Sequence, residues 1–116
     1  ESDARPAIEA ADLVLIPVAP SPVDFWATEG IIEIAKKAKR KILIQINRAN
    51  YRSKLISKTH EYISSIKVKA IDTLIGHRQI YVASMGEGKT VVEKQRKSKA
   101  VDEIKKISEQ ILLELK

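Results

Sequence analysis

Two short stretches constrain this chain more than anything else in it. Leu13 to Val18 (LVLIPV) and Ile42 to Ile46 (ILIQI) are nearly unbroken runs of apolar, mostly strand-forming residues. Each is too short for a helix, and neither alternates with polar residues. Each therefore reads as a strand buried on both faces, the kind found in parallel sheets covered by helices.

The segments around them carry the helical period. Ala4, Ala7, Ile8 and Ala11 fall on one face of a short helix ahead of the first run. Beyond it, Ser21 can cap a helix, Pro22 suits the first helical position, and Asp24 lies near the positive end of the helix dipole. That helix is expected to run through Phe25, Ile31, Ile32, Ile34 and Ala35 to the basic cluster Lys36, Lys37, Lys39, Arg40 and Lys41. Ser53 can cap a third helix carrying Leu55, Ile56, Tyr62, Ile63 and Ile66, and Val68 to Ile75 reads as a third strand. Gln79 to Lys99 reads as a loop or mixed region. Val101, Ile104, Ile107, Ile111, Leu112 and Leu115 then form the apolar stripe of a closing amphipathic helix.

Strands alternating with helices in this way define an α/β fold, a parallel sheet with helices on both faces and right-handed crossovers. The 116 residues suffice for one domain. Three strands make a small sheet with an open edge, and the chain starts without Met inside an Ala-rich stretch, so it is expected to be part of a longer domain.

Composition narrows the function classes. With 44% hydrophobic and 31% charged residues the chain lies within the globular range. The lack of cysteine removes disulfide frameworks, thiolate nucleophiles and Cys-ligated zinc. No apolar run approaches the roughly 20 residues of a membrane span, and the start Glu1, Ser2, Asp3 is acidic where a signal peptide is basic. A cytoplasmic protein without a membrane partner is the resulting expectation. The net charge of +6 favours polyanionic partners, although a Lys-rich face is often no more than a solvated one.

The segment ADLVLIPVAPSPVDFWA, with Pro17, Pro20, Ser21, Pro22 and Asp24, resembles the strand, Pro-rich turn and helix that follow the Walker B strand in ParA/MinD-type partition ATPases. The short plasmid-partition members are the most similar. Asn47 and Arg48 at a strand end, HRQIYV at His77 to Val82, the loop Gly88 to Val91 and the terminal Ile/Leu/Glu-rich helix continue the resemblance in order. It implies a P-loop NTPase-like fold, with residues 1–116 as the C-terminal part of the ATPase domain. The family binds ATP with magnesium, forms homodimers, coats DNA non-specifically and moves plasmid or chromosome cargo with a centromere-binding partner protein. Its two-lysine Walker A loop and Walker B aspartate are expected upstream of Glu1, so this chain alone is expected to hydrolyse nothing, and ATP with magnesium is expected of the full-length protein but not necessarily of this chain by itself.

Candidate site residues follow from position and from that resemblance. Asn47 and Arg48 lie beyond the C-terminal end of a strand, the edge where open α/β sheets bind ligands. A side-chain amide can read an adenine edge and a guanidinium can stack on the base. Ala49 and Asn50 follow where a guanine-reading aspartate would stand, which favours adenine. Pro17 and Arg78 complete the candidate nucleotide contacts. Arg52, Lys54, Lys89, Lys94, Arg96, Lys97 and Lys99 are the candidate DNA-backbone contacts, since sequence-independent binding needs several cations facing phosphates.

Other readings compete. Ala83 to Thr90 (ASMGEGKT) satisfies a loose P-loop pattern, but only a basic stretch and one helix follow it, leaving no strand to carry a magnesium-positioning aspartate. His77 is assigned no chemistry, because no metal-ligand spacing accompanies it. Phe25 and Trp26 are expected to pack in the core, either one marking a dimer or polymer contact if exposed. A receiver domain would need an acidic cluster that Asp12 and Asp72 alone do not supply. A stand-alone basic α/β module binding nucleic acid or protein without nucleotide remains the main alternative.

Overall fold

The structure, a computed structural model, describes residues 4–116, so the acidic start lies outside the described residues. Its elements run α1 (Ala4–Ala10), β1 (Leu13–Val18), α2 (Pro22–Lys37), β2 (Lys41–Ile46), α3 (Leu55–Ser65), β3 (Lys69–Ala70), α4 (Gln79–Gly86), α5 (Val91–Lys94) and α6 (Lys99–Glu114). The sheet is wholly parallel in the order β1-β2-β3, with Ile16 opposite Ile44 and Val18 opposite Ile46. This is an α/β fold with a parallel sheet flanked by helices, compatible with a portion of a P-loop NTPase-like domain.

Alternate residues of each strand face opposite sides, and the two sides are covered unequally. On one side Ile16, Val18, Ile44 and Ile46 pack with Phe25 and Ile32 of α2 and Ile63 of α3. The Phe25 and Tyr62 rings, 4.7 Å apart, join those two helices. Full burial of each such side chain contributes about 1.5 to 3 kcal/mol. Truncating Ile44, which is 1% exposed, would cost about 2 to 5 kcal/mol. On the other side α6 covers Leu43 and Ile71 through Ile107 and Ile111. It does not reach across β1, where Leu15 is 43% exposed and Pro17 is also exposed. The expectation that β1 is buried on both faces fails there, because no helix of the described residues lies over that half of the sheet. Leu112 and Leu115, expected on the apolar stripe of α6, point outward for the same reason.

Helix ends also depart from expectation. α2 begins at Pro22 as its sequence predicts, but the Ser21 side chain makes no cap bond. Instead the Asp24 carboxylate reaches back to accept the Ala19 N–H at 2.7 Å, tightening the Pro-rich turn. The N-cap of α3 is Lys54, with Ser53 Oγ accepting the Leu55 N–H at 3.1 Å. Ser98 caps α6 by accepting the Val101 N–H.

The third strand is shorter than Val68 to Ile75. Only Lys69–Ala70 pair regularly, then residues 72–74 swing out and the chain returns to bridge Gly76 with Ala49. Buried Gln45 is the cause visible in the geometry. Its side-chain amide donates to the Thr73 carbonyl at 2.9 Å, drawing the segment off the sheet, while the Ile71 and Ile75 N–H groups still donate to β2 at Ile44 and Ile46. Phe25 packs in the core as expected, whereas Trp26 is 67% exposed.

Candidate nucleotide site

The C-terminal ends of the three strands meet in one small region. β2 runs out at Asn47, whose backbone N–H donates to the Val18 carbonyl at 2.7 Å and so holds the turn beside the end of β1. Ala49 donates to Ile75 O at 2.9 Å and accepts from His77 N–H at 3.1 Å, which ties the same turn to the segment after β3. Arg48 sits between these anchors with φ of 50°, a left-handed conformation unusual for a non-glycine residue. Strain of that kind persists only where surrounding bonds impose it, and it gathers at functional sites.

Two clefts open at this edge and share Asn47 and Arg48. The smaller, about 230 Å³, is bounded by Pro17, Val18, Ala19 and Asp24. The larger, about 670 Å³, lies between Gly76–Arg78 and the α4 residues Tyr81, Val82 and Met85. The side-chain oxygen of Asn47 and the hydroxyl of Tyr81 are buried with no hydrogen-bond partner. A buried polar atom left unpaired costs about 1 to 3 kcal/mol, so both are suited to a ligand that completes them. Burial raises the Tyr81 hydroxyl above its ordinary range, with the Glu103 charge adding to it. Val82, 72% exposed, and Met85, 79% exposed, give the larger cleft an apolar wall.

Of the four residues expected at a nucleotide, Asn47, Arg48 and Pro17 line the smaller cleft, and Asn47, Arg48 and Arg78 line the larger. The Arg78 guanidinium, however, is engaged from behind. Its Nε and Nη2 donate to the two oxygens of Glu103 at 3.1 and 2.8 Å. Glu103 also accepts from the Gly76 N–H at 3.3 Å and from the Tyr51 hydroxyl. Burial pushes the Glu103 carboxyl up, but the bonds from Arg78, Tyr51 and Gly76 outweigh this and hold it below the usual carboxylate range. Glu103 raises the Arg78 pKa in return.

The P-loop pattern at Ala83 to Thr90 has a different structure. Ala83 to Gly86 belong to α4, and the remaining residues join two helices, whereas a phosphate loop joins a strand to a helix. Thr90 and Glu93 form a reciprocal capping box, and Lys89 donates its backbone N–H to Ser84 O at 2.9 Å. The stretch expected as a loop or mixed region thus holds α4 and α5.

The expected DNA contacts fall into two groups. Lys94 pairs with Glu87 and Lys89 lies 3.9 Å from the same carboxylate. Arg52, Lys54, Arg96, Lys97 and Lys99 are exposed and make no ion pair among the described residues. The Tyr51 to Glu103 bond draws the Arg52 turn to α6 one helical turn from Lys99. No cluster of three His, Cys, Asp or Glu suited to a metal occurs among the described residues. None of the described helices is long and apolar enough to cross a membrane.

Sequence reasoning missed Tyr51, Tyr81, Val82, Met85 and Glu103. Glu103 had a usable signal, a carboxylate inside the stripe Ala100, Val101, Ile104, Ile107. The others took their places only once α4 was known to be a helix.

The fold is an α/β parallel sheet compatible with a portion of a P-loop NTPase-like domain, with two clefts at the C-terminal edge of its strands. No family model matches the chain. It is 29% identical to the maintenance of carboxysome distribution protein A of Halothiobacillus neapolitanus, over an alignment of 107 positions that covers 87% of this chain. The chain spans about half the length of that curated relative, 50%. This likeness hints at the ParA/MinD family, as does the resemblance of the Pro-rich block.

Proposed function

We infer that the chain forms the base-side part of the nucleotide site in a ParA-like positioning or partition ATPase. The observation that carries this reading is Asn47, held between two clefts at the end of β2 with its amide oxygen unpaired and a left-handed Arg48 beside it. In the bound state Asn47 reads the adenine edge, Arg48 stacks on the base, and Pro17 lines the neighbouring cleft. ATP with magnesium is the ligand of the whole protein. The groups that grip phosphate and magnesium belong, in this reading, to polypeptide that adds its strand to the free edge of β1. Residues 1–116 are then the C-terminal part of a deviant Walker A ATPase domain that acts in the cytoplasm.

The similarity to a protein named for maintaining carboxysome distribution supports a cargo-positioning role. Plasmid partition is the form that the Pro-rich block favours. Homodimerisation around ATP, a centromere-binding partner protein and non-specific DNA contact through Arg52, Lys54, Lys89, Lys94, Arg96, Lys97 and Lys99 complete the proposal. Backbone amide NMR with ATP and with GTP at millimolar concentration tests it. Shifts confined to Asn47, Arg48 and Gly76 to Tyr81, larger with ATP, are expected. No shift with either nucleotide, or equal shifts with both, would sink it.

A second reading has its own support in the unpaired cations Arg52, Lys54, Arg96, Lys97 and Lys99. A basic module that binds DNA without nucleotide would lose affinity steeply between 50 and 200 mM salt, by orders of magnitude if it touched roughly 6 to 10 phosphates. It would ignore ATP.

A further inference from the structure

The carboxylate of Glu103 joins three parts of the molecule at one point. Tyr51 belongs to the turn after β2, Gly76 and Arg78 to the segment after β3, and Glu103 to α6, and all of them bond to the one buried carboxylate. The Arg78 guanidinium also lies over the Tyr51 ring at 5.9 Å. Arg78 is the N-cap residue of α4, so its position sets where Tyr81, Val82 and Met85 stand across the cleft from Asn47.

Gly76 records how closely this cluster is packed. A Cβ placed there would meet Arg78 Nε at 3.0 Å and Cζ and Nη2 at 3.1 Å, closer than side chains normally approach. The glycine leaves the space that the guanidinium occupies while it faces Glu103.

Resting on the nucleotide reading above, we propose that Glu103 is a positioning residue for the base site. It clamps Tyr51, Gly76 and Arg78 so that the Asn47–Arg48 turn and α4 are held at a fixed separation, and Arg78 acts through this clamp. Both carboxylate oxygens accept from the Arg78 fork, a bidentate geometry that fixes orientation as well as distance. Arg78 lines the cleft while its Nε and Nη2 face Glu103, so the width of the cleft depends on both residues.

Two variants disturb the clamp from opposite sides. Glu103→Gln removes the charge and keeps the shape. Gly76→Ala keeps every charge and displaces the guanidinium. Two measurements are made on each, ADP affinity by titration and amide hydrogen exchange by NMR. Both variants are expected to weaken ADP binding about tenfold and to speed exchange at Ala49 and His77, leaving Leu43 to Ile46 protected. Adding Arg78→Ala to Glu103→Gln is expected to weaken binding no further, because both act through one clamp. Additive losses, reduced affinity without faster exchange, or faster exchange without reduced affinity would each overturn the proposal. If the unmodified chain shows no ADP binding, the nucleotide reading fails separately. Exchange then decides the clamp alone, with acceleration at Ala49 and His77 upholding it and unchanged rates refuting it.

Discussion

The turn at Asn47 to Arg52 and the turn at Gly86 to Thr90 are both short, polar and flanked by regular structure, and only the second matches a phosphate-loop pattern. Their hydrogen bonds separate them. In the second turn the Thr90 and Glu93 side chains satisfy each other's backbone, Lys89 and Gly88 donate their N–H groups to the end of α4, and Glu87 holds Lys94. In the first, the Asn47 amide oxygen is buried and unpaired and Arg48 is held left-handed. These two features distinguish the first turn from the second, although each also occurs elsewhere, at Gln45 Oε1 and at Lys39 and Lys67.

The comparison breaks most completely if the clamp behind the first turn is cut. Glu103→Gln leaves Arg78 without its counter-charge in a half-buried place, and a stability loss of about 3 kcal/mol is expected in urea unfolding. The same carboxylate gives a pH signature. Its folded pKa is depressed, so its contribution is fully present above the unfolded carboxylate value and is lost as pH falls through the folded one. Acid unfolding should therefore steepen below about pH 4.3, the ordinary Glu value, and Glu103→Gln should flatten that limb.

Asn47→Ala sharpens the contrast. Affinity for adenine nucleotide should fall by about 1 to 3 kcal/mol in a titration, the cost of a lost polar contact. Thermal stability should hold or rise, because an orphaned buried oxygen is removed. In the second turn the pattern inverts. Thr90→Ala should lower stability by about 1 kcal/mol through loss of the cap and leave nucleotide affinity unchanged. The smallest effect is expected from Arg48→Gly. Relief of a left-handed penalty of roughly 1 kcal/mol, partly offset by the freedom of glycine in the unfolded chain, should stabilise slightly while weakening ligand binding.

The elements that sequence reasoning placed well are those whose signal is local. Leu13 to Val18 and Pro22 onward declare a strand and a helix by composition and by one proline, and both begin at the predicted residues. Val68 to Ile75 looks equally strand-like, but its pairing depends on where buried Gln45 sends its amide, a contact 28 residues away. Gln79 to Gly86 lacks a clear helical stripe because α4 has apolar residues on its exposed side as well as its packed one. At the site, Asn47 was legible as a polar residue ending an apolar run. Tyr51 and Glu103 became partners only through tertiary packing, which no spacing along the chain encodes.

The free edge of β1 has a practical consequence for the chain in solution. Leu15 and the unpaired backbone of that strand form a surface that can template another strand. A net charge of +6 keeps copies apart, but that repulsion reaches only about 10 Å at 0.1 M salt and shrinks as salt is added. Apolar contact is not screened. The chain should therefore stay dispersed in dilute buffer and associate as ionic strength rises, the reverse of the salt response of phosphate contacts.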